Sequence, residues 1–228
     1  MIEFVFLDLD DTILDFLKAE SVALSKTLTH LGIDPTEQTV ARYSTINAAQ
    51  WRLLEQGVLT REEVKVRRFR LLFEELGVAA DAEHARVYYE AQLGIGHFFM
   101  PGALELLEAL HGRYQLYIMS NGTTAVQNGR IASAGIAPYF KEIFLSEQMG
   151  AVKPQREFFD ACFARIPGFD RSRAIIVGDS LSSDILGGIN AGIRTCWFNP
   201  RGHAENPAIR PDLVLDRLTD LPALLENL

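Results

Sequence analysis

From Pro101 onward the apolar pattern alternates between two periods, and this alternation constrains the fold more than any other feature of the chain. Runs at 116–119, 143–145, 174–177, 195–198 and 213–215 read as strands. Helical spacing predicts helices near 103–110, 125–134, 157–166 and 184–191, with another at the C-terminus. Strands that alternate with helices join as parallel neighbours through right-handed crossovers, and helices then cover both faces of the sheet. The uncharged run at 4–7 adds a strand of the fully buried kind. The fold class is therefore α/β, with a doubly wound, Rossmann-like parallel sheet as its core.

One stretch breaks the alternation. Residues 17–93 read almost entirely as helix, with Val22, Leu24, Leu28, Leu31 and then Val66, Phe69, Leu72, Phe73 and Leu76 at three- and four-residue spacing, punctuated by Gly32, Gly57 and Gly77. Its place after the first strand makes it an insertion. The expected domains are a core of 1–15 and 97–228 and an all-helical domain of 16–96. The chain leaves the insert through Leu93-Gly94-Ile95-Gly96-His97, where two glycines suit a hinge or a plain flexible loop equally.

With 22 lysines and arginines against 30 aspartates and glutamates, the net charge is −8. That balance argues against nucleic acid polymers and anionic membranes as partners, while a small anion bound beside a local metal remains open. No run of about eighteen apolar residues exists, and no basic segment precedes the first strand, so cytoplasmic residence is expected, with neither a span nor a signal peptide. Cys162 and Cys196 lack metal-ligand spacing and read as buried packing residues.

Four strand ends carry polar residues, at the edge where doubly wound sheets bind ligands. Asp8, Asp10, Asp11 and Thr12 follow the first strand. Carboxylates packed there repel one another unless a cation intervenes. Ser120 and Asn121-Gly122 follow the strand at 116–119, offering a hydroxyl and backbone amides to phosphate oxygens. Lys153-Pro154 lies past the strand at 143–145, and Gly178-Asp179 with Asp184 past that at 174–177. Each signal alone has a bland reading as a turn, a solvated lysine or a helix-capping acid. Together they describe one site.

The set resembles the haloacid dehalogenase superfamily of phosphohydrolases: Asp8, Asp10 and Thr12, then Ser120, then Lys153, then Gly178, Asp179 and Asp184. The helical insert resembles the cap of the subfamily whose cap follows the first motif. The resemblance implies an aspartyl-phosphate mechanism with Asp8 as nucleophile, Asp10 as general acid and base, and Mg2+ held by Asp8, the Asp10 carbonyl and Asp179. It assigns phosphate contacts to Ser120, the amides near Asn121, and Lys153, with Thr12 and Asp184 in supporting positions. Asp11 stands where many relatives have glycine and is given a structural role in the turn.

The segment 184–192, the run Thr195-Cys196-Trp197-Phe198-Asn199, Asp170-Arg171-Ser172-Arg173, and Gly122 with Gln127 and Arg130 are similar to a branch of bacterial pyrimidine nucleotidases. Gly187 and Gly188 also suit close helix-to-sheet packing, and Trp197 suits the core. Trp51, Arg52, Phe16, Tyr88, Tyr89, Phe98 and Phe99 are read as core before substrate contacts. The expected substrate is a small phosphate ester, a nucleoside monophosphate, handled by a monomer or homodimer. Three other readings stand beside it: phosphatase of phosphoglycolate or a sugar phosphate, phosphosugar mutase, and non-enzymatic phosphoacceptor domain. A dehalogenase is disfavoured, because cleaving a carbon–halide bond needs neither magnesium nor a proton donor.

Overall fold

The computed structural model describes residues 1–228. They form two compact units, one of Met1–Asp15, Phe98–Thr124 and Ala134–Leu228, the other of Phe16–His97 and Ala125–Ser133.

The first unit is built on six parallel strands, β1 (Phe4–Leu7), β2 (Gln115–Ser120), β3 (Glu142–Leu145), β4 (Ala174–Gly178), β5 (Arg194–Phe198) and β6 (Leu213–Leu215), in the order β3-β2-β1-β4-β5-β6. After β3 the chain crosses to the other side of β1, so the strand order reverses between β1 and β4. In doubly wound sheets that reversal opens the ligand crevice. β1 is central and buried at every position, hence its lack of polar residues. By strand alternation Phe4 and Phe6 share one face, where they pack with Tyr117, Phe144, Phe158, Phe159 and Phe163. Val5 and Leu7 face the other way.

Helices α1 (Phe16–His30), α2 (Glu37–Glu55), α3 (Arg61–Leu76) and α4 (Ala82–Leu93) belong to the second unit. Thr36 and Asp81 cap α2 and α4, and Thr60 with Glu63 forms a capping box on α3. Inside, the rings of Tyr43, Phe69 and Tyr89 lie 5.2–5.6 Å apart. A buried polar chain runs beside them: Asn47 Nδ2 donates to Glu20 Oε1 at 2.6 Å, and Arg68 Nη1 to Asn47 Oδ1 at 3.0 Å. Tyr89 is therefore core, as its spacing suggested, whereas Tyr88 stacks on His30 at 4.1 Å and Trp51 lies 5.6 Å from the Arg61 guanidinium.

The remaining helices are α5 (Ala103–Leu110), α6 (Thr124–Ala134), α7 (Ser146–Met149), α8 (Arg156–Phe163), α9 (Leu186–Ala191) and α10 (Leu221–Glu226). The sequence pattern did not anticipate α7, which is a single turn. The helix expected over 184–191 instead starts with a wide, π-type turn at Leu181–Ile185 before α9. A β-carbon on Gly187 would stand 2.5 Å from the Phe159 ring, and one on Gly188 2.6 Å from Ile176 and Thr195, which is the packing reason for that glycine pair.

Gly94 and Gly96 are also closely approached. A β-carbon on Gly129 of α6 would come within 2.6 Å of the Gly94 carbonyl oxygen, and Arg130 Nε donates to the Gly96 carbonyl at 3.1 Å. The exit segment is strapped to α6. No helix is long and apolar enough to cross a membrane.

Candidate active site

The site grows out of β1. Asp8 continues the ladder for one residue, its N–H donating to the Val177 carbonyl at 2.9 Å, so its carboxylate emerges where β1 and β4 part. The chain then folds back: the Ile13 and Leu14 amides both donate to the Leu9 carbonyl, and the Asp11 amide donates to Leu14 at 2.8 Å. This tight reversal puts Asp11 at φ 55°, the one residue other than glycine with positive φ. Aspartate tolerates that region better than most side chains.

Lys153 is the electrostatic centre. Its Nζ donates to Asp8 Oδ1 at 2.6 Å, Asp184 Oδ1 at 2.7 Å and the Met119 carbonyl at 2.6 Å, which engages all three ammonium donors. The side chain is almost wholly buried. Burial alone would discharge the amine, but the Asp184 and Asp8 carboxylates outweigh it and raise its pKa. Asn121 holds the lysine backbone from both sides: its Nδ2 donates to the Lys153 carbonyl at 2.9 Å, and its Oδ1 accepts from the Lys153 N–H at 2.9 Å. The Lys153–Pro154 peptide bond is cis.

Asp184 is held equally firmly. Its Oδ2 accepts from the Ser180 N–H at 3.0 Å, while a β-carbon on Gly178 would meet that oxygen at 2.2 Å. Glycine at 178 is thus a steric requirement of the acid six residues later. The widened turn at Leu181–Ile185 lets Asp184 reach back toward the strand end.

Carboxylate oxygens of Asp8, Asp179 and Asp184 lie within 4.8 Å of one another. Burial pushes the Asp8 carboxyl up to about 8, with Asp184 and Asp10 adding to the shift and Lys153 opposing it. Burial, then Asp8 and Asp184, likewise holds the Asp179 carboxyl well above the usual range. Three acids share one ammonium, and such a cluster favours an additional cation. An all-carboxylate donor set suits a hard divalent ion.

Of the residues expected from sequence, Asp8, Lys153, Asp179 and Asp184 converge. The Asp10 carboxylate lies outside the trio, near enough to influence Asp8. Ser120 ends β2, with its Oγ accepting from the Gly122 N–H at 3.1 Å. The Asn121 side chain serves Lys153 and also reaches the Ser183 hydroxyl at 3.4 Å. The Thr12 hydroxyl is fully buried and has no hydrogen-bond partner. Two contributors were missed. Trp197, buried in the core as expected, also donates from Nε1 to the Asp179 carbonyl at 2.7 Å, and Glu147 of α7 accepts from the Thr124 N–H at 2.7 Å at the start of α6. Only the pairing of Gly178 with Trp197 across β4 and β5 brings that indole to Asp179.

The family profile of haloacid dehalogenase-like hydrolases matches residues 2–192. The chain belongs to that family. Among its relatives, the HAD-hydrolase YfnB of Bacillus subtilis is 41% identical over 96% of this chain and 93% of its own. The pyrimidine 5'-nucleotidase PynA of Streptococcus pneumoniae is 39% identical over 90% and 86%, and the pyrimidine 5'-nucleotidase YjjG of Escherichia coli 31% over 98% and 97%. A crystal structure of YfnB bound to magnesium matches with a TM-score of 0.94 at 40% identity, covering 98% of each chain.

Proposed function

We propose that the chain is a magnesium-dependent phosphomonoester hydrolase that works through an aspartyl phosphate and prefers pyrimidine nucleoside 5'-monophosphates. The observation that carries the reading is the Lys153 ammonium bridging Asp8 and Asp184, with Asp179 completing the trio. The preference rests on PynA and YjjG, both pyrimidine 5'-nucleotidases. On this reading 1–15 with 97–228 is the catalytic core and 16–96 the substrate-selecting cap.

The buried carboxylates fit Mg2+, which Asp8, Asp179 and the Asp10 carbonyl would hold, while Asp184 would support Lys153. Asp184 already spends both oxygens on Lys153 and Ser180. When bound, the ion neutralises charge on the phosphoryl oxygens and allows an anionic nucleophile to approach an anionic ester.

The remaining steps belong to the chain. A carboxylate oxygen of Asp8 attacks phosphorus as the bond to the ester oxygen breaks, and Asp10 gives that oxygen its proton, releasing the nucleoside. Water then attacks the phosphorus of the Asp8 acyl phosphate and passes a proton to Asp10. The bond from phosphorus to Asp8 breaks, inorganic phosphate departs and both acids return to their starting states. Ser120 and the amides that follow it bind the phosphoryl oxygens, and Lys153 balances charge on Asp8 and phosphate. Asp184 and Asn121 keep Lys153 in place.

Phosphate release measured with Mg2+ across dUMP, UMP, dTMP, purine nucleotides, sugar phosphates and phosphoglycolate tests the assignment. Pyrimidine monophosphates are expected to have the highest kcat/KM. Faster turnover of sugar phosphates or phosphoglycolate would overturn it.

A further inference from the structure

The loop after β5 is built around one arginine. The Asn199 N–H donates to the Leu215 carbonyl at 2.6 Å, and the Gly202 N–H to the Asn199 carbonyl at 3.2 Å, closing a turn with Gly202 at φ 64°. The Asn199 side chain braces it, accepting from the His203 N–H at 2.8 Å and donating to the His203 carbonyl at 3.0 Å. At the third position of this doubly closed turn stands Arg201. Its Nη2 donates to Asp11 Oδ1 at 3.1 Å and lies 3.9 Å from Asp15 Oδ1.

Asp11 is the residue held at φ 55°. An L-residue gains nothing from that backbone conformation, and glycine would accept it without strain. The advantage of aspartate lies in its side chain, which gives Arg201 an anchor beside the first motif. The peptide that Asp11 shares with Asp10 belongs to the reversal closed by the Asp11 N–H to Leu14 bond. Torsion at Asp11 therefore sets the direction of the preceding residue.

We propose that Arg201 is a positioning residue: through its ion pair with Asp11 it fixes the turn that aims the Asp10 carboxyl at the leaving-group oxygen. The inference rests on the phosphatase reading and on Asp10 as proton donor. Burial opposes charge on Arg201, but the Asp11 hydrogen bond and the Asp11, Asp15 and Asp179 carboxylates outweigh it, so the guanidinium stays charged. Asp10 transfers a proton only to a leaving group that needs one, which distinguishes positioning from general support of the fold.

The test compares Arg201→Ala, Arg201→Lys, Asp11→Gly and the Asp11→Gly/Arg201→Ala double variant on an alkyl phosphate and on p-nitrophenyl phosphate. Nitrophenolate departs without a proton, and kcat/KM reports only steps through the first phosphoryl transfer. For Arg201→Ala, kcat/KM on the alkyl phosphate is expected to fall by about 10- to 100-fold, the scale of a displaced catalytic group. The p-nitrophenyl phosphate value should change less than about threefold, the proton-independent limit. Lysine should recover part of the loss, and the double variant should be no worse than Arg201→Ala. Equal losses on both substrates, no loss on either, or additive effects would overturn the proposal. Wild-type cleavage of other alkyl phosphates but of no nucleotide sinks the nucleotidase assignment alone, and Arg201 is then tested on the ester that is cleaved. A wild-type enzyme that releases phosphate from no ester ends both.

Discussion

Gly178 lies so close to Asp184 that a β-carbon would stand 2.2 Å from its Oδ2. The glycine is a spatial precondition for the acid that holds Lys153. Gly178→Ala must displace Asp184 or the strand end, at a cost of about 1–3 kcal/mol typical of overpacking. Because displacement reaches Lys153 directly, kcat should fall at least about tenfold even where the variant is fully folded, as for other misplaced groups. Steady-state kinetics beside a denaturant titration checks this, and a folded variant with wild-type kcat contradicts it.

The two acids of the first motif should fail differently. On the proposed mechanism Asp8→Asn removes the nucleophile and is expected to lower kcat by more than about 10³-fold, while the far-ultraviolet spectrum stays unchanged. On the same mechanism Asp10→Asn leaves the nucleophile without its proton partner. It should either trap a phosphorylated protein, visible as an added phosphate mass after acid quench, or stop the first transfer. Unchanged steady-state kinetics in Asp10→Asn would remove it from that role.

Stability without metal should depend on pH through Asp8. Its carboxyl is raised from 3.8 to about 8, mainly by burial, so the folded state holds this proton more tightly than the unfolded chain does. That contribution is complete below the unfolded value and disappears as pH rises through about 8. In EDTA the contribution of this acid should lower the melting temperature between pH 5 and pH 9. Added Mg2+, which binds the ionised cluster, should stabilise more at pH 8 than at pH 5. Melting curves with and without Mg2+ across that range decide the matter, and an equal Mg2+ effect at both ends would count against the site.

Asn121→Ala separates positioning from phosphate binding. The variant loses two hydrogen bonds to the Lys153 backbone while its own amide N–H remains. Stability should drop by about 1–3 kcal/mol, and kcat should fall with KM for substrate nearly unchanged. A rise in KM at constant kcat would return the side chain to the substrate.

The sheet and the convergence of Asp8, Lys153, Asp179 and Asp184 were legible in the sequence because each depends on local pattern. Strand period, helix period and polar residues just past a buried run are written in neighbouring residues. Contacts between distant segments were hidden. Asn121 and Lys153 are brought together by the crossover from β2 through α6 to β3, and Trp197 reaches Asp179 only through the register of β4 with β5. The packing of α6 against Gly94 and Gly96 was equally unreadable, since the two segments meet only in the folded unit. The wide turn at Leu181–Ile185 escaped notice because its purpose, carrying Asp184 back toward Gly178, is geometric.

Asp8 and Asp179 leave adjacent central strands that are far apart along the chain, and the Asp8 amide is still zipped to Val177. Their proximity exists only while the middle ladder is intact. Catalysis should then disappear in step with cooperative unfolding, without an earlier phase of local inactivation, so that turnover itself becomes a sensitive probe of whether the centre of the sheet has formed.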